Sequence, residues 1–241
     1  MMLPSLGNSS DQSPLNSLDL SFGFLHLAKE YLDAEVTFNT SMLALMQKYM
    51  MPMSIFRETV FDQTRVLSLR KYGTLFRNVA LIYSISNIFM HELFFDEQAK
   101  RKITLLDVLY NVYNNLWLFN MYNYFLNSYF SAQQLLHSLE GENKMFAEVK
   151  KMASETINVI HPNHMSELES LLIAPVQHLP NLMLIFQNLQ KQIFEEYMNQ
   201  SNGELEMTML SKCLNTSESI ISKIKVILHS LNANKKTAVQ Q

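Results

Sequence analysis

Glycine is scarce in this chain, five among 241 residues, about 2% against a usual ~7%. So little glycine leaves few positions for tight hairpins, bulges or phosphate-cradling loops. Neither G-x-G-x-x-G nor G-x-x-x-x-G-K-[ST] occurs, so nucleotide-binding folds built on those loops are excluded. The single cysteine, Cys213, rules out a disulfide framework and any multi-cysteine zinc site. No charge of one sign dominates: 19 Lys+Arg stand against 22 Asp+Glu, a formal net of -3. A binder driven by phosphate neutralisation along nucleic acid would show a basic excess. Long uninterrupted apolar runs are missing too. The greasiest stretch, Leu75 to Phe95, contains Arg77, Asn78, Ser84, Ser86, Asn87, His91 and Glu92, where a membrane span needs ~20 mostly apolar residues. The first residues have neither a basic n-region nor an apolar h-region. The expectation is a cytoplasmic protein with no membrane insertion; a secreted effector working in a host cytoplasm would read the same way.

What the chain does have is helical periodicity and 48% apolar residues, enough for one sizeable core. The fold class expected is all-α, an elongated bundle of long helices. Residues 1 to 17, rich in Ser, Asn, Asp and Pro, read as a flexible leader, 18 to 232 as one helical domain, and 233 to 241 as a flexible tail. Leu27, Tyr31, Ala34, Phe38, Met42, Leu45 and Tyr49 form one apolar stripe. Ser17 or Ser21 is placed to cap its start, and Pro52 lies where the helix should end or kink. Further helices are expected over 73–95, 104–138, 144–159 and 165–199, followed by a last one bearing Leu210, Cys213, Ile220, Ile224, Ile227 and Leu231. Breaks fall at Gly141-Glu142-Asn143, His161-Pro162-Asn163 and Ser201-Asn202-Gly203.

The segment Leu172-Ile173-Ala174-Pro175-Val176-Gln177-His178-Leu179-Pro180-Asn181-Leu182 sets two prolines inside an apolar helical pattern, each at a cost of ~3 kcal/mol in a helix interior. It resembles the third conserved region of Dbl-homology domains, L-I-K-P-V-Q-R-x-P-R-Y-P-L-L-L. These domains are the catalytic module of Rho-family guanine nucleotide exchange factors. Glu30 to Phe38, running on to Tyr49-Met50-Met51-Pro52-Met53, is similar to the first region, E-L-x-x-T-E-x-x-Y with its closing Y-L-x-P-L. Leu75-Phe76-Arg77-Asn78-Val79 resembles L-F-x-N-I, and Met121-Tyr122, Asn127, Tyr129 and Ala132 resemble the middle region. The similarity runs in order over about residues 20 to 232.

The resemblance implies a bundle whose first, third-region and final helices hold a small GTPase of Rho, Rac or Cdc42 type by its switch regions and promote GDP release. It implies no cofactor, no metal and no covalent chemistry, and leaves the oligomeric state unknown. By linkage, the factor by which such a protein weakens nucleotide affinity is the factor by which nucleotide weakens its own. In family terms Glu30 meets switch I and, with Glu218, is a candidate catalytic residue. GTPase-binding positions are Glu30, Ala174, Val176, Gln177, His178, Asn181, Asn215, Glu218 and Ser222. Alone, Glu30 reads as a solvated helix-flank acid at the edge of its apolar stripe.

The family's lysine is Ala174 here, its arginine His178, its second basic residue Asn181 and its tyrosine Leu182. A charged hydrogen bond contributes about 1.5–3 kcal/mol, so loss of the lysine would cost roughly 10- to 150-fold in the complex. The second expectation is therefore an exchange-inactive scaffold or GTPase-binding module with the same fold. Other features read more simply. His161 and His164 belong to a turn and lack companion ligands. There is no H-E-x-x-H, E-x-x-H or D-D-x-x-D. The sixteen methionines read as core filler, with Met50-Met51-Pro52-Met53 the expected exposed cluster. The aromatic-rich stretch after Thr104 has no interleaved Lys or Arg before Glu140, unlike a base-stacking surface.

Overall fold

The structure, a computed structural model, describes residues 22–58, 67–98, 105–158, 167–199 and 204–239. Nine α-helices occur among these residues, and no strand. They are α1 (Phe22–Leu45), α2 (Met51–Glu58), α3 (Leu69–Phe76), α4 (Val79–Gln98), α5 (Leu105–Asn114), α6 (Asn120–Glu142), α7 (Lys144–Asn158), α8 (Leu168–Asn199) and α9 (Glu204–Val239). The leader, both serine caps and the turns at 161–163 and 201–203 lie outside the described residues.

The apolar stripe of the first helix is core from Tyr31 onward: Phe38, Met42, Leu45 and Tyr49 are all buried. Pro52, however, does not end this helix. A π-helical turn, Met46–Met50, joins α1 to α2, and the Met51 amide bonds back to the Met46 carbonyl. That wider turn shifts the ladder before the proline ring, so Pro52 enters in the first turn of α2, where a missing N–H costs little. Of the methionine cluster beside it, Met51 is exposed while Met53 is fully buried.

Two stretches expected as single helices are broken. The first divides into α3 and α4 at Arg77-Asn78, where Asn78 takes φ 66, a left-handed conformation that asparagine tolerates. Ser68 caps α3, its Oγ accepting from the Lys71 amide at 3.3 Å. The second divides into α5, a 3₁₀ turn over Leu116–Phe119, and α6. Asn143 separates α6 from α7 and caps the latter through the Phe146 amide, 3.0 Å away. At the other end, α9 is helical to Val239, where the sequence suggests a loose tail from Asn234.

Helix α8 keeps both Pro175 and Pro180 inside one unbroken span. Leu171, Leu172, Leu179, Leu182, Ile185, Phe186, Leu189 and Ile193 are buried along it. At about 1.5–3 kcal/mol for each large apolar side chain, that burial outweighs two proline penalties. By length and composition α8 would also pass as a membrane span, but its apolar side is the centre of the bundle core. Cys213 belongs to the same core, and burial pushes its thiol up to about 11.

Candidate functional site

Three helices make the face that the sequence singles out. Tyr31 of α1 touches Phe186 of α8 (ring centroids 5.7 Å apart), and Phe38 stacks on His178 at 3.8 Å and 7°. Residue numbers rise on α1 as they fall on α8, so the two helices are antiparallel. Helix α9 packs along the other side of α8. The four residues between them span at most ~17 Å, less than the ~48 Å length of a 32-residue helix; α9 therefore also runs antiparallel to α8. Counting back from the connection sets Ser222 level with Asn181 and Glu218 level with Ile185. The α1–α8 register sets Glu30 level with Gln187.

Exposure sorts the expected contact residues. Gln177 and Asn181 lie on the solvent-facing stripe of α8, which Leu184 and Asn188 continue. Ala174 and Val176, two residues and so ~200° apart around the axis, sit half-buried on the two margins of that stripe. Asn215, Glu218 and Ser222 are exposed on α9, and Glu30 is half-buried on the flank of α1. From Gln177 to Asn188 the exposed α8 stripe carries no charge. It presents amides and an exposed Leu184, and Val226 is exposed on α9.

His178 is the exception and is withdrawn from the docking surface. It is 4% exposed, and its Nε2 lies 3.0 Å from Oε1 of Glu35, itself 1% exposed. Ser86 of α4 donates to the other carboxylate oxygen at 3.3 Å. The Asn39 amide reaches both the Ser86 hydroxyl (3.2 Å) and the Asn87 side-chain carbonyl (2.9 Å). Burial raises the Tyr31 and Tyr122 hydroxyl pKa values well above the ordinary phenol value, and the charge of Glu35 raises them further. The reason His178 turns inward is periodicity: on α8 it shares a face with Leu171, Leu182 and Ile185, all buried. The same rule puts Glu35, four residues after Tyr31, on the core side of α1. This buried network, spanning α1, α4 and α8, is what a reading of surface motifs passes over. Its signal was present as an acid and an imidazole on two apolar stripes.

Among the described residues no group of His, Cys, Asp and Glu is placed to hold a metal ion.

Compared with known proteins, the chain is similar in fold to several solved structures. It superposes on the Vav1 exchange factor with PH and C1 domains at TM-score 0.62 and 17% identity, covering 85% of this chain and 49% of that one. On the DH domain of FARP2 the TM-score is 0.57 at 18% identity, covering 92% and 97%. On the DH/PH domains of PDZ-RhoGEF, in a complex with activated RhoA, it is 0.61 at 12% identity, covering 92% and 58%. The chain thus spans about half the length of the multidomain neighbours and nearly all of the isolated DH domain. No curated protein matches it by sequence. Residues 27–225 match the RhoGEF domain model, and with the all-helical bundle above this means that the chain belongs to the RhoGEF domain family.

Proposed function

We propose that this chain is a guanine nucleotide exchange factor for a Rho-family small GTPase, which it binds by the switch regions through the face formed by α1, α8 and α9. The observation that carries the reading is the arrangement of that face. Glu30 stands at its flank, half-buried and able to accept hydrogen bonds while its stem stays packed, and an uncharged stripe from Gln177 to Asn188 runs beside it. From Ala174 to the level of Glu30 is 13 residues of α8, ~20 Å, a span that one docked protein covers. Glu30 meets switch I; Val176, Gln177 and Asn181 of α8 and Asn215, Glu218 and Ser222 of α9 meet switch II and the strand between the switches. The work is differential binding, since contacts made only with the nucleotide-free GTPase lower the cost of releasing GDP. No group on this chain forms or breaks a bond.

The test is release of fluorescent GDP from Rho, Rac and Cdc42 type GTPases. Acceleration by the wild-type chain that Glu30→Ala reduces at least tenfold supports the reading; no acceleration of any of the three overturns it. One observation favours the alternative, an exchange-inactive GTPase-binding module: Ala174 offers no donor where the family has a lysine. Binding without acceleration is its signature. Ala174→Lys then gauges the missing contact, with a gain of roughly 10- to 150-fold in complex stability expected if a charged hydrogen bond is restored.

A further inference from the structure

On the side of the bundle formed by α3 and α6 lies a groove of about 800 Å³, within the range of small-ligand sites. Arg70 and Arg77 line one wall, with Asn78 at the elbow between α3 and α4; Tyr124 and Ser131 line the other. Both arginines are exposed. The side chains of Arg70, Arg77, Asn78 and Ser131 make no hydrogen bond or ion pair with any described residue.

Charge distribution sets this groove apart. The chain as a whole is acidic, yet no Asp or Glu occurs between Asp62 and Glu92, or between Asp107 and Glu140. Among the described residues, those two stretches supply the whole lining. Two arginines face one concavity, and among the described residues no acid lines it. Helix α4 begins at the elbow, and the positive end of its dipole adds to the same potential.

We propose that this groove binds a small, multiply phosphorylated anion. Guanidinium groups hold phosphate oxygens in a bidentate fork and are the side chains best suited to it. Arg70 and Arg77 are seven residues apart, ~10 Å along a helix, a spacing at which each guanidinium can take a phosphate of its own. A polyphosphate, or a ring carrying phosphates on opposite sides, uses both. Ser131 and Asn78 supply uncharged donors on the same lining. Gly73 keeps the wall open, since a Cβ there would meet nothing within 4 Å. The shared chemistry belongs to soluble polyphosphates and to phosphorylated lipid headgroups alike. The groove lies off the α1, α8 and α9 face, and the site does not depend on the reading of that face.

The experiment uses the full chain and no GTPase. Calorimetric titration with tripolyphosphate and inositol hexakisphosphate tests the soluble source. Co-sedimentation with phosphatidylcholine vesicles, with and without a few per cent of phosphatidylinositol bisphosphate, tests the lipid source. Saturable binding of one or more phosphorylated probes is expected. The double variant Arg70→Gln/Arg77→Gln, with unchanged circular dichroism, should weaken it more than tenfold. Gly73→Trp should block it by filling the groove, whereas Lys151→Gln on α7 should leave it intact. Binding only to vesicles that carry the phosphorylated lipid assigns the headgroup as ligand; binding of the soluble probes alone assigns a free polyphosphate. No saturable binding of any probe, binding that the double variant leaves unchanged, or equal weakening by Lys151→Gln overturns the proposal.

Discussion

Two side-chain clusters, each built around a glutamate, tie this bundle together, and they differ in what surrounds them. Glu35 and His178 meet in the core, the imidazole stacked on Phe38 and the carboxylate hydrogen-bonded to Ser86 of α4. Lys150 of α7 reaches Glu140 of α6 and Glu169 of α8 near the surface. The outer cluster joins as many helices as the inner one, but its members are partly exposed, so solvent and salt weaken their attraction. The inner pair has no water to fall back on. Removing one member leaves the other's polar atoms unsatisfied in the core, whereas replacing both with apolar groups of like volume removes both halves of the hydrogen bond together. The contrast is between a contact costly to break and one cheap to lose.

The largest expected effect breaks the inner pair. Glu35→Ala leaves both the His178 ring nitrogen and the Ser86 hydroxyl without their partner, at about 1–3 kcal/mol for each, read as a fall in the urea midpoint at unchanged m-value. The double variant Glu35→Met/His178→Leu sharpens the point: it should recover most of that loss, and a loss as large as the single variant's would show that the pair itself stabilises the fold. Ser86→Ala, which takes one hydrogen bond from the Glu35 carboxylate, should cost ~1–3 kcal/mol.

Lys150→Ala comes last, at about 0.2–1 kcal/mol, vanishing in high salt while the Glu35→Ala effect persists. Its pH dependence has a definite sign. For Glu169, burial raises the carboxyl pKa, but its hydrogen-bonded neighbours, Lys150 among them, outweigh burial and leave it lowered. Its contribution is present above the ordinary carboxylate range and is lost as pH falls through the depressed value. For Lys150, burial works the other way, yet the two glutamates leave its pKa raised. That contribution is complete below the ordinary lysine value and is lost as pH rises through the elevated one. Wild type and Lys150→Ala should therefore converge in strong acid and in strong alkali, which thermal melts across pH would check.

Much of the fold was legible because burial repeats along a helix. Tyr31, Phe38, Met42 and Leu45 recur at helical spacing, and the structure buries each of them. The break at Arg77-Asn78 was not legible for the same reason: Leu75, Phe76, Val79 and Ile82 are all buried, and their spacing is that of one continuous helix. An elbow that preserves the apolar register leaves no trace in the pattern. At Pro52 the sequence points to an end or a kink, and the structure interrupts the α-helical ladder one step earlier, with a π turn over Met46–Met50. On the candidate face, Glu30 at a stripe edge and Gln177 and Asn181 on a polar side follow from periodicity. His178 was assigned by motif position to the surface, although its place on the α8 wheel already put it inward.

Composition and periodicity determined by themselves that this chain is helical, that α8 carries prolines at a cost its apolar side must offset, and which side of each helix faces the core. Those are properties of one helix at a time. Only tertiary structure decided which buried acid meets which buried imidazole, that α3 and α6 enclose a groove with two arginines that no described residue pairs, and that Glu30 comes level with Gln187 rather than with Ala174. Such facts depend on the register between helices far apart in sequence. That register is set by how whole surfaces interlock and exclude water, and no local pattern carries it.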